Sequence, residues 1–131
     1  MPILAPISAG ELIDKITILR VKAQRIGDPV KEANVRKELA LLEATARSHI
    51  SPSADMDRLT AELTAVNAAL WDVEDGKRGC ERRQDFGSDF VALARRVYIE
   101  NDQRAAIKRA INAAAGSDIV EEKSYKPYLA G

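Results

Sequence analysis

The sequence is poor in the residues that build metal and redox centres, since it contains one cysteine and one histidine among 131 residues. One cysteine cannot form a disulfide within the chain, and a structural zinc site needs about four cysteine or histidine ligands. These counts exclude thiolate and histidine zinc sites, and they favour a reducing compartment. We therefore expect no metal, no cofactor and a cytoplasmic location.

Net charge, long apolar segments and aromatic residues are scarce as well. Twenty basic and twenty acidic side chains cancel, so no overall field directs the protein to nucleic acid or to an anionic membrane. No apolar run approaches the roughly 18 residues that a membrane span needs, and no signal segment opens the chain. One Trp, three Tyr and two Phe are few for sheet packing. We expect a helical fold without a nucleic-acid or membrane partner.

Four segments carry apolar residues at helical spacing, and most have clear start or stop signals. Ser8 and Glu11 form a capping box, Pro29 suits the first position of a second helix, Ser53 caps a third, and Gly116 suits a left-handed cap after the fourth. The sequence predicts helices over about 8–26, 29–49, 53–78 and 88–115. Residues 77–85 are predicted to be a frayed last turn and a loop, because glycines weaken the end of the third helix.

The short links between these helices predict antiparallel helical hairpins. We predict an all-α four-helix bundle that forms one domain over residues 1–131. Residues 1–7 and 117–131 have no helical period, and we expect them to be extended and packed together. Ile18 and Val21 lie opposite the main apolar stripe of the first helix, so this helix is either central in the bundle or part of a subunit interface. On this basis we predict a homodimer.

The fourth helix carries polar side chains on the face that should be apolar. At about 100° per residue, Phe90, Leu93 and Val97 define one face, and the same face continues with Asn101, Arg104, Lys108 and Asn112. A buried cation or amide must find a partner or cost several kcal/mol. The candidates that face this polar stripe are Asn67, Glu74 and Arg78 of the third helix and Glu122 and Tyr125 of the C-terminal segment. Together with the stripe they form the candidate binding site.

Two interpretations of the polar stripe remain open. In the first, Arg104 or Lys108 pairs with Glu121 or Glu122, and a closed network fixes the register of the helices. In the second, the two cations hold a carboxylate or phosphate group of a ligand between the helices.

Other reactive groups have simpler interpretations. Cys80 lies near several arginines, which lower a thiol pKa, but an incidental loop thiol is the simpler interpretation because no histidine partner is in sight. Glu11 with Asp14, and Asp72 with Asp75, have the spacing of the acidic pairs that hold magnesium in helical pyrophosphohydrolases. We interpret the first pair as capping residues and the second as surface charge, and this enzyme class stays a minor alternative.

Four segments of the chain resemble a known family. These are ISAGELIDKITILRVK from residue 7, LWDVED from residue 70, ARRVYIENDQRAAIKRAIN from residue 94 and GSDIVEEKSYKPY from residue 116. They resemble an uncharacterised bacterial family known only as a domain of unknown function. The resemblance implies a bacterial origin and no established activity. Proteins similar to this one sometimes lie beside genes for glycan or surface-polysaccharide biosynthesis, which is an association and not a mechanism.

The leading functional hypothesis is a non-catalytic cytoplasmic binding or accessory module. The alternative is a small all-helical enzyme, or a binder of an anionic metabolite such as a phosphate, a carboxylate or a sugar nucleotide, that uses Arg104 and Lys108.

Overall fold

A computed structural model describes residues 1–119, 122 and 125–128, and it contains four helices. They are α1 (Ala9–Arg25), α2 (Pro29–His49), α3 (Ala54–Arg82) and α4 (Ser88–Ala115). The helices pack against one another, and no strand occurs in the described part of the chain. The prediction of an all-α four-helix bundle is confirmed.

The caps explain why the helices begin and end where they do. Ser8 Oγ accepts from the Glu11 amide at 3.1 Å, and Asp28 and Ser53 receive the corresponding bonds at the starts of α2 and α3. Gly116 ends α4 in the left-handed region, with φ 67° and ψ 36°, where glycine has no steric penalty. These local signals are readable in the sequence because each cap is made within a few residues of its helix.

The predicted loop at residues 77–85 is wrong for most of its length, because α3 continues to Arg82. A Cβ at Gly76 would lie 3.0 Å from Leu93 Cδ1, so the glycine allows close packing of α4 on α3. Close packing of α4 therefore offsets the low helix propensity of glycine. Cys80 consequently lies within a helix and is 1% exposed, so its interpretation as a loop thiol is also wrong.

Helix α1 is central in the bundle, since it alone contacts each of the other three helices. The apolar core holds Leu12, Ile13, Ile16 and Leu19 of α1, Leu39 of α2, Met56, Leu59 and Leu63 of α3, and Ile111 of α4. Val21, on the second apolar face of α1, is 4% exposed within the single chain. Ile18, on the same face, is half-buried, so the chain's own helices cover this face only in part and the homodimer stays a prediction.

The N-terminal segment, residues 1–7, does not pack as predicted. Met1, Ile3 and Leu4 are 91–117% exposed, so they make almost no contact with the described part of the chain. In the C-terminal segment, Tyr128 reaches Tyr98 of α4 with ring centroids 5.3 Å apart. Residues 120, 121, 123, 124 and 129–131 lie outside the described residues. No helix in the described part of the chain is long and apolar enough to cross a membrane.

Candidate functional site

The polar stripe of α4 meets α1, and two ion pairs join the helices. Arg104 donates from Nε to Asp14 Oδ1 at 2.9 Å and from Nη2 to Asp14 Oδ2 at 2.5 Å. Lys108 Nζ donates to Glu11 Oε2 at 2.8 Å and lies 3.9 Å from Asp14 Oδ2. The two cations therefore lie one helical turn apart on α4, and they match two carboxylates three residues apart on α1.

Asp14 is the most deeply buried member of this group, with a side chain that is 1% exposed. In addition to Arg104 it accepts from Asn67 Nδ2 at 3.0 Å, and the same Asn67 amide donates to Thr17 Oγ1 at 2.9 Å. We call Glu11, Asp14, Asn67, Arg104 and Lys108 the ion-pair network. A buried carboxylate is tolerated when a cation and further hydrogen bonds satisfy it, and Asp14 meets both conditions.

Glu11 is held in its ionised form. The hydrogen bond from Lys108 is the main cause that holds the pKa of Glu11 below its ordinary value of 4.5, against an opposing effect of burial. The charge of Lys108 also lowers this pKa, whereas the nearby Asp14 raises it. A general acid or base works best with a pKa near the working pH, so Glu11 is poorly suited to proton transfer at neutral pH.

Two backbone amides in the first turn of α1 donate hydrogen bonds to side chains at the end of α4. The Gly10 amide donates to Asn112 Oδ1 at 2.7 Å, and the Ala9 amide donates to Ser117 Oγ at 3.4 Å. A Cβ at Gly10 would lie 2.5 Å from the Lys108 carbonyl oxygen, so only glycine allows the two helices to approach this closely. These contacts satisfy amide groups that every helix N-terminus leaves without a partner.

An open cleft of about 850 Å³ lies beside the ion-pair network, between α4 and the C-terminal segment. Its walls are Glu11 of α1, then Val97, Tyr98, Asn101, Asp102, Arg104, Ala105, Lys108, Arg109 and Asn112 of α4, and Glu122, Tyr125, Lys126 and Tyr128 of the C-terminal segment. This volume is within the range of about 300–1,000 Å³ typical of small-ligand sites. We call this feature the cleft.

The structure brings most of the predicted site residues to this region. Asn101, Arg104, Lys108, Asn112, Glu122 and Tyr125 line the cleft, and Asn67 lies in the ion-pair network behind it. Glu74 and Arg78 do not, because both are exposed on α3 and Glu74 pairs with Lys77 at 3.3 Å. Glu74 and Arg78 do lie at helical spacing from Asn67, but Asn67 is buried whereas the two later residues are exposed.

One of the two predicted partners of the cations needs correction, and the other stays a prediction. Glu122 pairs with Arg109 at 3.8 Å rather than with Arg104 or Lys108, and Glu121 lies outside the described residues. The carboxylates that meet the cations in the described part of the chain belong to Glu11 and Asp14, which we had assigned to capping. Asp14, Thr17 and Val21 recur at helical spacing on the second face of α1, and this pattern was the signal for a buried carboxylate. Asp72 and Asp75 are exposed, as expected for surface charge.

Metal binding finds no support within the described residues, where no group of three or more His, Cys, Asp or Glu side chains could hold an ion. In that part of the chain, every buried side-chain nitrogen and oxygen has a hydrogen-bond partner.

The fold and the site together define a small all-α protein with an ion-pair network between its first and fourth helices and a cleft beside it. The chain belongs to a family of unknown function, DUF6165, whose family model matches residues 3–130. No curated protein and no solved structure is similar enough to match the chain.

Proposed function

We propose that the protein is a non-catalytic binding module, and that the cleft is its binding site. The observation that carries this proposal is that the ion-pair network and the cleft present different chemical groups. The ion-pair network holds α1 against α4 with paired charges, whereas the cleft beside it exposes the rings of Tyr98, Tyr125 and Tyr128. A site that binds without chemistry needs shape, aromatic surface and hydrogen-bonding groups. It needs no activated acid or base.

The alternative is an enzyme or a binder for an anionic metabolite. This alternative is supported by Arg104 and Lys108, because both line the cleft as well as belonging to the ion-pair network. A phosphate, a carboxylate or a sugar nucleotide would then compete with Glu11 for Lys108. A sugar nucleotide is included because proteins that resemble this one sometimes lie beside genes for glycan biosynthesis, and a role in that pathway in the bacterial cytoplasm forms part of this alternative.

Replacing Lys108 with methionine separates the two functions, because methionine keeps the volume of the stem and removes the charge. If Lys108 only holds Glu11, the variant loses a charged hydrogen bond and unfolds more easily by about 1–3 kcal/mol, and anions stabilise neither protein. If Lys108 binds an anion, phosphate or a sugar nucleotide raises the melting temperature of the wild type only.

Thermal unfolding of both proteins, with and without phosphate, sulfate and a sugar nucleotide, decides between these outcomes. Lys77→Met is a matched control, since Lys77 also pairs with a glutamate, Glu74, but lies on α3 and is not among the residues that line the cleft. An anion response in the wild type that Lys108→Met abolishes and Lys77→Met retains would overturn the leading proposal.

A further inference from the structure

Residues 1–7 form an exposed apolar segment that we call the arm. None of its side chains carries a charge, and all seven residues are exposed. Removal of aliphatic side chains from water is favourable, and the arm has large apolar side chains at positions 1, 3, 4 and 7. Such a segment has a strong tendency to bind an apolar surface.

The arm leaves the helical core at one end of the cleft. Ser8 is 3% exposed and has extended backbone angles, and the next residue, Ala9, bonds to Ser117 after the end of α4. Glu11, one turn further along α1, forms part of the wall of the cleft. The arm and the cleft are therefore neighbours on the molecular surface.

The cleft has the surface that an extended proline-containing segment prefers. Tyr98, Tyr125 and Tyr128 are 43%, 82% and 45% exposed, and the rings of Tyr98 and Tyr128 lie close together at an angle of 48°. Aromatic grooves with nearby hydrogen-bonding groups bind extended proline-containing peptides, because such peptides lose little entropy on binding. The arm contains Pro2 and Pro6.

Three ion pairs at the cleft favour an occupant without charged side chains. Lys108 pairs with Glu11, Arg104 with Asp14, and Arg109 with Glu122. An occupant without charged side chains leaves these three ion pairs intact, whereas a charged occupant has to compete with them.

We propose that the arm of one copy lies in the cleft of a second copy, and that the exchange is reciprocal in a twofold dimer. The inference rests on the proposed function, in which the cleft is the binding site, and it names the occupant. The prolines favour exchange over a return to the same chain. They restrict Met1 and Ala5 to extended backbone, and Ile3 and Leu4 make almost no contact with the described residues of their own chain.

The first test is the oligomeric state, measured by light scattering from low to high micromolar concentration. We expect the wild type to be a dimer and the double variant Ile3→Asp, Leu4→Asp to be a monomer with unchanged helical content. Val30→Asp is the control, because Val30 is also an exposed apolar residue, 72% exposed, but lies on α2; it should remain a dimer. A monomeric wild type, or a dimeric arm variant, overturns the proposal.

The second test uses a labelled peptide of residues 1–8 and protein from which residues 1–7 have been removed. The peptide should bind the shortened protein, and Tyr98→Ala should weaken that binding about tenfold or more. A peptide that binds while the full chain is monomeric means that the arm occupies its own cleft, which overturns the exchange.

These tests distinguish a failure of the arm as the occupant from a failure of the cleft as a binding site. If the peptide of residues 1–8 does not bind but an uncharged proline hexapeptide binds the shortened protein in a Tyr98-dependent manner, the cleft is a binding site and the arm is not its occupant. If neither binds, the proposed function fails as well.

Discussion

Arg104 and Asp14 are ninety positions apart in the sequence, and their side chains form two hydrogen bonds across the interface of α4 and α1. Asp14 is 1% exposed while Arg104 is 29% exposed at its side chain, so the arginine reaches from the edge of the cleft to a carboxylate in the core. This pair fixes the register of the two helices, because a slip along either helix separates it.

Replacing Asp14 with asparagine should destabilise the protein by about 3–5 kcal/mol, because it leaves a partly buried guanidinium without its carboxylate. Urea unfolding at neutral pH measures the change. Asp72→Asn is the matched control, since Asp72 also pairs with an arginine, Arg25, but is 64% exposed; its loss should cost less than about 1 kcal/mol. Equal effects of the two substitutions would show that burial of Asp14 does not matter.

The double variant Asp14→Leu, Arg104→Met removes both charges and should recover much of the lost stability, as replacement of buried ion pairs by apolar residues often does. If the double variant is no more stable than Asp14→Asn, the loss of the hydrogen bond from Asn67 offsets the removal of the two charges.

Gly10→Ala should destabilise the protein by about 1–3 kcal/mol, although alanine is the better helix former, because overpacking forces two elements apart. The new Cβ would lie 2.5 Å from the Lys108 carbonyl oxygen and 2.9 Å from Asn112 Oδ1. Gly27→Ala is the control, because a Cβ there meets nothing within 4 Å. Chemical denaturation of both variants measures the difference, and a stable Gly10→Ala protein would mean that α1 and α4 are further apart.

Acid should lower the free energy of unfolding, partly because it protonates the Glu11 carboxylate. The Lys108 hydrogen bond lowers the folded-state pKa of Glu11 below its ordinary value of 4.5. The contribution of Glu11 to stability is therefore complete above that ordinary value and is lost as pH falls through the lower folded value. Glu11→Gln should therefore show a shallower loss of unfolding free energy below that pH.

The pH comparison is made by urea unfolding at a series of pH values for the wild type, Glu11→Gln and Glu62→Gln. Glu62 pairs with Arg58 within one helix and is 46% exposed, so it contributes little. If Glu11→Gln and the wild type lose stability in parallel, Lys108 does not stabilise the Glu11 carboxylate.

The Cys80 thiol should react with a thiol reagent only when the protein unfolds, because it is 1% exposed and lies within α3. Labelling rates in native buffer should be at least about a hundredfold below those in denaturant. A Cys80→Ala protein that carries Ser48→Cys on the exposed side of α2 is the control, and it should react rapidly under both conditions. Rapid labelling of native Cys80 would mean that the end of α3 opens, as the sequence had suggested.

The sequence by itself was sufficient for the features that depend on near neighbours in the chain. The serines and the aspartate before α1, α2 and α3, the glycine after α4 and the apolar spacing of each helix act within a few residues, so the number and ends of most helices were predictable. The polar stripe of α4 was also predictable, because a helix places every third or fourth residue on one face.

Only the tertiary structure decided which groups meet that stripe. Glu11 and Asp14 looked like capping or surface residues because their role depends on the position of α4, about ninety residues later. The end of α3 extends past its glycines because Leu93 packs against Gly76, and Glu74 and Arg78 point to solvent although they share a helical line with Asn67. Partner choice is set by how the helices cross and how deeply each face is buried, and these quantities arise only when all four helices pack together.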